Sequence, residues 1–68
     1  MGVIMEYTNS EMQRLIDEYI HSDRDRRILK RRLIDGIHFE PLAEEFDIST
    51  RNCKNIVYRC QAQLFKHL

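Results

Sequence analysis

A chain of 68 residues has room for one domain, and its residues are 43% hydrophobic and 32% charged. This composition excludes an intrinsically disordered chain, in which hydrophobic residues are scarce and the net charge is high. The apolar runs are far shorter than the roughly 20 residues that span a bilayer, and the first residues lack the basic and apolar regions of a secretion signal. We therefore expect residues 1–68 to form a single cytoplasmic domain that needs no cofactor.

The charges are segregated along the chain, although the formal net charge is zero. No acidic residue follows Ser49, whereas the same stretch contains the basic residues Arg51, Lys54, Arg59 and Lys66. A neutral total argues against binding to nucleic acid, because such domains are usually basic. The segregation argues for it, because a local excess of one sign produces a charged face on a neutral protein.

The first helix is predicted from a capping pattern and from apolar spacing. Thr8 and Glu11 have the spacing of a capping box, so a helix is expected to begin near Thr8 or Asn9. Its apolar residues recur at helical spacing and form one stripe: Met12, Leu15, Ile16, Tyr19 and Ile20. Such a stripe requires other helices to cover it.

A second helix is predicted from Ser22 or Asp23 to Asp35, with Gly36 as a left-handed C-cap. Basic residues occupy the faces that its apolar residues leave: Arg24, Arg26, Arg27, Lys30, Arg31 and Arg32. Acidic residues alternate with them, and Asp23 and Arg27 are spaced for an ion pair. The sequence leaves open whether the basic residues of this helix contact nucleic acid or are balanced by the acidic residues of the same surface.

A short turn separates the last two predicted helices. The third helix is predicted over about residues 39–46, with Pro41 in the first turn, where its missing N–H is tolerated. Asp47 is expected to adopt the left-handed region, and Ser49 is expected to cap a helix from Thr50 to about Phe65. The inward residues of this last helix are Cys53, Ile56, Val57, Cys60 and Leu64.

The cysteines are interpreted as small buried residues. Cys53 and Cys60 lie in the same predicted helix, roughly 10 Å apart along its axis, which excludes a disulfide between them. None of the histidines, His21, His38 and His67, has a zinc-type spacing with these cysteines. We therefore expect no metal site.

A short helix, a tight turn and a cationic helix form the pattern of a helix-turn-helix, whose second helix enters the major groove of DNA. We place this motif at about residues 38–60. Ala43 is small where the two helices approach most closely, and Asp47 replaces the usual glycine of the turn. The positions that pack the two helices together are apolar: Leu42, Phe46, Ile48, Cys53 and Ile56. The predicted fold is an all-α four-helix bundle that contains a helix-turn-helix.

Several runs of sequence carry a family resemblance: Asp25-Arg26-Arg27-Ile28-Leu29, Leu33-Ile34-Asp35-Gly36, Leu42-Ala43-Glu44-Glu45-Phe46, Ile48-Ser49-Thr50-Arg51 and Tyr58-Arg59. Over about residues 10–66 the chain resembles region 4 of bacterial sigma factors, and response-regulator output domains have similar motifs. The resemblance implies a domain that reads the upstream hexamer of a promoter. No sigma region 2 is present, so a complete sigma factor is not expected. The resemblance also suggests a stand-alone regulator of the kind that phages and mobile elements often encode.

The exposed face of the last helix is the predicted DNA-reading surface. Its predicted base-contacting residues share this face at helical spacing: Thr50, Arg51, Lys54, Asn55 and Tyr58. Arg51 and Lys54 can donate to guanine, Asn55 can pair with adenine, and Thr50 can contact a thymine methyl. The predicted phosphate contacts come from His38, Ser49, Asn52 and Arg59. A cationic helix face is otherwise an ordinary solvated surface, and here the motif spacing and the missing acids favour DNA.

Other interpretations remain open beside a DNA-binding monomer. The same unit can bind RNA polymerase or another regulator through its acidic third helix, with Glu40, Glu44 and Glu45 facing a basic partner. Leftover apolar residues either cap the bundle or form a homodimer interface: Val3, Ile4, Met5, Tyr7, Phe65 and Leu68. An enzyme is not expected, because the sequence has no nucleophile–base pair, metal cluster or phosphate-binding glycine loop.

Overall fold

The structure is a computed structural model that describes residues 8–67. Over this range the chain forms α1 (Asn9–Tyr19), α2 (Asp23–Leu33), α3 (Phe39–Glu45) and α4 (Thr50–Phe65). The predicted all-α fold, a small four-helix bundle, is confirmed. None of these helices is long and apolar enough to cross a membrane. The residues at positions 3–5, 7 and 68, which were considered for a homodimer interface, lie outside the described range.

Side-chain caps fix the starts of α1 and α2. The Thr8 hydroxyl accepts a hydrogen bond from the Glu11 backbone at 3.1 Å, and the Glu11 carboxylate accepts one from the Thr8 backbone at 2.9 Å. The predicted capping box is therefore confirmed. Ser22 caps α2, because its hydroxyl accepts from the Asp25 backbone at 3.3 Å.

The end of α2 differs by two residues from its predicted end at Asp35, because the helix stops at Leu33. The Asp35 N–H donates to the Lys30 carbonyl at 3.3 Å, and the Ile37 N–H donates to the Arg31 carbonyl at 3.2 Å. These bonds span more residues than an α-helical bond, so the last turn is widened. Gly36 has a φ of +72°, which confirms the predicted left-handed conformation.

The turn between α3 and α4 depends on one residue with positive φ. The helix α3 ends at Glu45, one residue earlier than predicted, and Phe46 is its C-cap. Asp47 has a φ of 56°, as predicted, and this allows the Ile48 N–H to donate to the Ala43 carbonyl at 3.0 Å. The Phe46 and Ile48 side chains pack at the edge of the core and are half-buried.

The core lies between α4 and the other three helices. It consists of Met12, Ile16, Ile20, Ile28, Leu29, Leu42, Ala43, Cys53, Ile56, Val57, Cys60 and Leu64. Every residue of α4 that was predicted to face inward is buried. Both cysteines are free, and burial raises the pKa of each thiol.

Polar contacts fix the orientation of α4 relative to α1 and α2. Asp25 is the one buried charged residue in the described part of the chain, and the Arg59 guanidinium bonds to its carboxylate at 3.1 Å. Near the end of α4, the Gln63 amide donates to the Tyr19 carbonyl at 3.0 Å. The His67 ring stacks on the Tyr19 ring with centroids 3.9 Å apart. These contacts hold one side of α4 and leave its opposite side exposed.

Candidate nucleic-acid interface

The start of α4 is capped and free of acidic side chains. The Ser49 hydroxyl accepts a hydrogen bond from the Asn52 backbone at 3.0 Å, and the first turn of α4 contains no acidic residue. The N-terminus of a helix of this length carries a partial positive charge. Ser49 and Asn52 are both exposed at this end, as expected for the predicted phosphate contacts.

The predicted base-contacting residues lie together on one side of α4. Arg51, Lys54, Asn55 and Tyr58 are exposed, and Thr50 is half-buried. From Thr50 to Tyr58 this face extends about 12 Å along the helix axis. Tyr58 is 56% exposed, which is unusual for a large aromatic side chain in this bundle. Four of the five predicted base-contacting side chains are therefore open to solvent, and Thr50 is partly covered.

The cations of α4 and those of α2 have different surroundings. Arg51 and Lys54 form no ion pair with any described residue. Most of the basic residues of α2 are paired with carboxylates: Arg24 with Asp25, Arg26 and Arg27 with Asp23, Lys30 with Asp17, and Arg31 with Asp35 and Glu45. The positive charge on most of α2 is thus balanced within its own surroundings, as one of the two sequence-based interpretations of that helix expected.

Arg59 has a different environment from the other predicted phosphate contacts. Its side chain is 66% exposed, but its guanidinium is bonded to the buried Asp25 carboxylate. Arg59 therefore links α4 to the start of α2, and its charge is partly balanced by that carboxylate. The sequence missed this role, since the two residues are 34 positions apart.

His38 lies beside α4, although it precedes α3. It is exposed and its side chain makes no capping hydrogen bond to α3. With Phe39, Glu40, Thr50 and Lys54 it lines an open pocket of about 250 Å³. This placement puts His38 next to the predicted base-contacting face.

An aromatic and cationic cluster that sequence reasoning missed adjoins the same pocket. The Arg32 guanidinium carbon lies 4.5 Å from the centroid of the Phe39 ring, and the Lys54 ammonium lies 5.8 Å from it. The Tyr58 ring meets the Phe39 ring edge to face, with centroids 5.8 Å apart. These residues come from α2, α3 and α4, so no single run of sequence contains the pattern.

The acidic residues of α3 divide into two groups. Glu45 accepts three hydrogen bonds from the Arg31 guanidinium, the shortest at 2.9 Å, and these bonds raise the pKa of Arg31. Glu40 and Glu44 are exposed and form no ion pair with a described residue. The acidic face proposed for protein binding is therefore smaller than the sequence indicates.

The fold and this surface define a class: a small all-α bundle whose longest described helix presents an exposed, cationic face without acidic side chains. Within residues 8–67, no three His, Cys, Asp or Glu side chains are grouped closely enough to hold a metal ion. Comparison with protein-family models, curated proteins and solved structures finds no match to this chain.

Proposed function

We propose that this protein binds duplex DNA by placing α4 in the major groove and acts as a small transcription regulator. In this proposal α3, the turn at Asp47 and α4 form a helix-turn-helix, the arrangement in which the second helix reads base edges. The left-handed Asp47 and the small, buried Ala43 support this pairing of α3 with α4.

One observation carries the proposal: the exposed face of α4 has two cations, Arg51 and Lys54, that are paired with no described carboxylate. Such a face gains free energy when it neutralises DNA phosphates and releases their counterions. Most of the arginines of α2 would gain less free energy from contact with phosphates, because the protein already supplies their carboxylate partners.

Different residues on and beside α4 are assigned to the bases and to the phosphates. Arg51 donates to guanine O6 and N7, Asn55 pairs with adenine, and Thr50 contacts a thymine methyl. Each good bidentate pair is worth about 1–3 kcal/mol of discrimination between bases. His38, Ser49 and Asn52 hold the phosphates on either side, which fixes the register of the helix in the groove. Tyr58 extends the face at its far end.

The resemblance to sigma factor region 4 supports a more specific version of this proposal. In that version the protein reads a promoter-like hexamer and contacts RNA polymerase while bound to it. A homodimer would place two copies of α4 on half-sites about 10 base pairs apart. Phe65, which is 43% exposed, is the described residue that such a dimer interface would use.

Fluorescence anisotropy with a labelled random-sequence duplex tests the proposal. The wild type is compared over a series of salt concentrations with the double variant Arg51→Glu, Lys54→Glu. The matched control is Arg14→Glu, Lys66→Glu, which makes the same charge change at exposed residues outside the predicted face. We expect binding by the wild type and the control that weakens as salt rises, and no binding by the α4 variant. Equal loss in both variants contradicts the proposal.

The second candidate function is protein binding through α3. Glu40 and Glu44, both exposed, favour it because a basic partner can approach them from solvent. The variant Glu40→Gln, Glu44→Gln separates the two functions. It should abolish binding to a basic protein partner such as a polymerase segment, whereas it should strengthen DNA binding, because it removes negative charge near the DNA.

A further inference from the structure

Arg32 is the exception among the basic residues of α2. Its five basic neighbours on that helix each pair with a carboxylate, but Arg32 pairs with none in the described part of the chain. One of its terminal nitrogens donates to the Ile37 carbonyl at 3.2 Å. A guanidinium has five N–H donors, so most of its donors have no protein partner among residues 8–67.

The Phe39 ring brings Arg32 toward α4. The Arg32 guanidinium carbon is 4.5 Å from the ring centroid, and the Lys54 ammonium is 5.8 Å from the same centroid. Two cations beside one ring repel each other, and the attraction of each for the ring is worth only about 0.5–1 kcal/mol at exposed sites. An anion bound between or beside them removes that repulsion, and the pocket next to them is open to solvent with a volume of about 250 Å³.

We propose that Arg32, together with Lys54, binds the phosphate backbone of duplex DNA beside the groove that α4 enters. This inference rests on the proposed function and extends it, because it assigns a phosphate contact to α2. It also gives Lys54 a backbone contact in place of the base contact that the sequence suggested. Arginine is suited to this role, because its planar guanidinium matches the geometry of a phosphate and stacks on an aromatic face.

The structure holds Arg32 in position before DNA arrives. The hydrogen bond to Ile37 and the stacking on Phe39 restrict a side chain that otherwise loses rotamer entropy when it binds. Glu40 is the acidic side chain in the lining of the adjacent pocket, and it forms no ion pair there. The negative charge of Glu40 repels a phosphate bound in this pocket.

The test compares Arg32→Gln with Arg31→Gln in anisotropy titrations of a duplex at several salt concentrations. Both variants remove one positive charge from neighbouring positions, but Arg31 is already bonded to Glu45 and Asp35. We expect Arg32→Gln to reduce the slope of log K against log salt by about 0.9, the value for one lost phosphate contact. The slope for Arg31→Gln should equal that of the wild type.

Two further variants keep the test independent of folding. Arg32→Lys retains the charge, so its slope of log K against log salt should be close to that of the wild type. Glu40→Gln should strengthen binding to every duplex sequence. Circular dichroism establishes that each variant is helical. If the wild type binds DNA and Arg32→Gln has the same slope as Arg31→Gln, the Arg32 inference is wrong and the proposed function stands. If the wild type does not bind DNA, both are wrong.

Discussion

The contact between Asp25 and Arg59 should be the strongest ion pair in the described part of this protein. The Asp25 side chain is 10% exposed, and its carboxylate is bonded to Arg59 at 3.1 Å and to Arg24 at 3.3 Å. Hydrogen bonds to charged groups contribute about 1.5–3 kcal/mol when they are protected from water. The Arg59 side chain is 66% exposed, so solvent screening moves the expected value to the lower end of that range or just below it.

A double-mutant cycle measures this interaction. The free energies of unfolding of Asp25→Asn, Arg59→Gln and the double variant are obtained from urea denaturation followed by circular dichroism. We expect a coupling energy of about 1–2 kcal/mol. In a domain of this size, each kcal/mol corresponds to a change in Tm of about 4–8 °C, so Arg59→Gln should also be visible in thermal melts.

The pair of Asp23 with Arg27 provides the matched control. Its nitrogen–oxygen distance is also 3.1 Å, but its two side chains are 68% and 70% exposed. An exposed pair at this helical spacing contributes about 0.3–0.5 kcal/mol. If the coupling of Asp25 with Arg59 is no larger than that of Asp23 with Arg27, then burial does not strengthen the contact and the reasoning is refuted.

Other predictions concern the cap of α4, the end of α2 and the cysteines. Ser49→Ala should destabilise the fold by about 0.5–2 kcal/mol because it removes the α4 cap; a urea midpoint equal to that of Ser10→Ala, an exposed serine without this role, would argue against it. Gly36→Ala should cost about 1 kcal/mol through its positive φ alone, since within residues 8–67 no atom beyond Gly36 and its two chain neighbours lies within 4 Å of the added carbon. Burial raises the pKa of Cys53 and Cys60, so the folded protein retains thiol protons that the unfolded chain releases above about pH 8.5. The contribution of these thiols to the free energy of unfolding should therefore be fully present below that pH and should be lost as the pH rises toward the folded pKa values. The fall in the free energy of unfolding should be shallower when both cysteines are replaced by alanine.

Local sequence signals account for most of the fold. The capping residues Thr8 and Ser49 act on backbone donors within three positions, and Asp47 relies on its own conformational preference. The apolar spacing of α4 identified all of its buried residues, because helical periodicity determines which side faces a neighbour. The ends of α2 and α3 were placed one or two residues too late. The last turn of α2 widens before the left-handed Gly36, and the chain leaves α3 just before the left-handed Asp47.

The candidate site was only partly predictable. The side chains on the exposed face of α4 follow from the periodicity of one helix. The bond from Arg59 to Asp25 spans 34 positions, and the stacking of Arg32 on Phe39 needs α2 and α3 to meet. Nothing in the sequence distinguishes Arg32 from Arg31 beside it. Their difference arises because Glu45 lies within reach of Arg31 when the helices pack.

The most direct test of DNA binding by α4 is a titration of the isotope-labelled protein with a duplex, followed by amide chemical shifts in two-dimensional NMR. We predict that the largest shift changes cluster between Ser49 and Tyr58, with further changes at the amides of His38 and Arg32. Residues on the far side of α1, such as Arg14, should be unaffected. No shift changes on addition of the duplex, or changes centred on residues outside α4, would contradict DNA binding by α4.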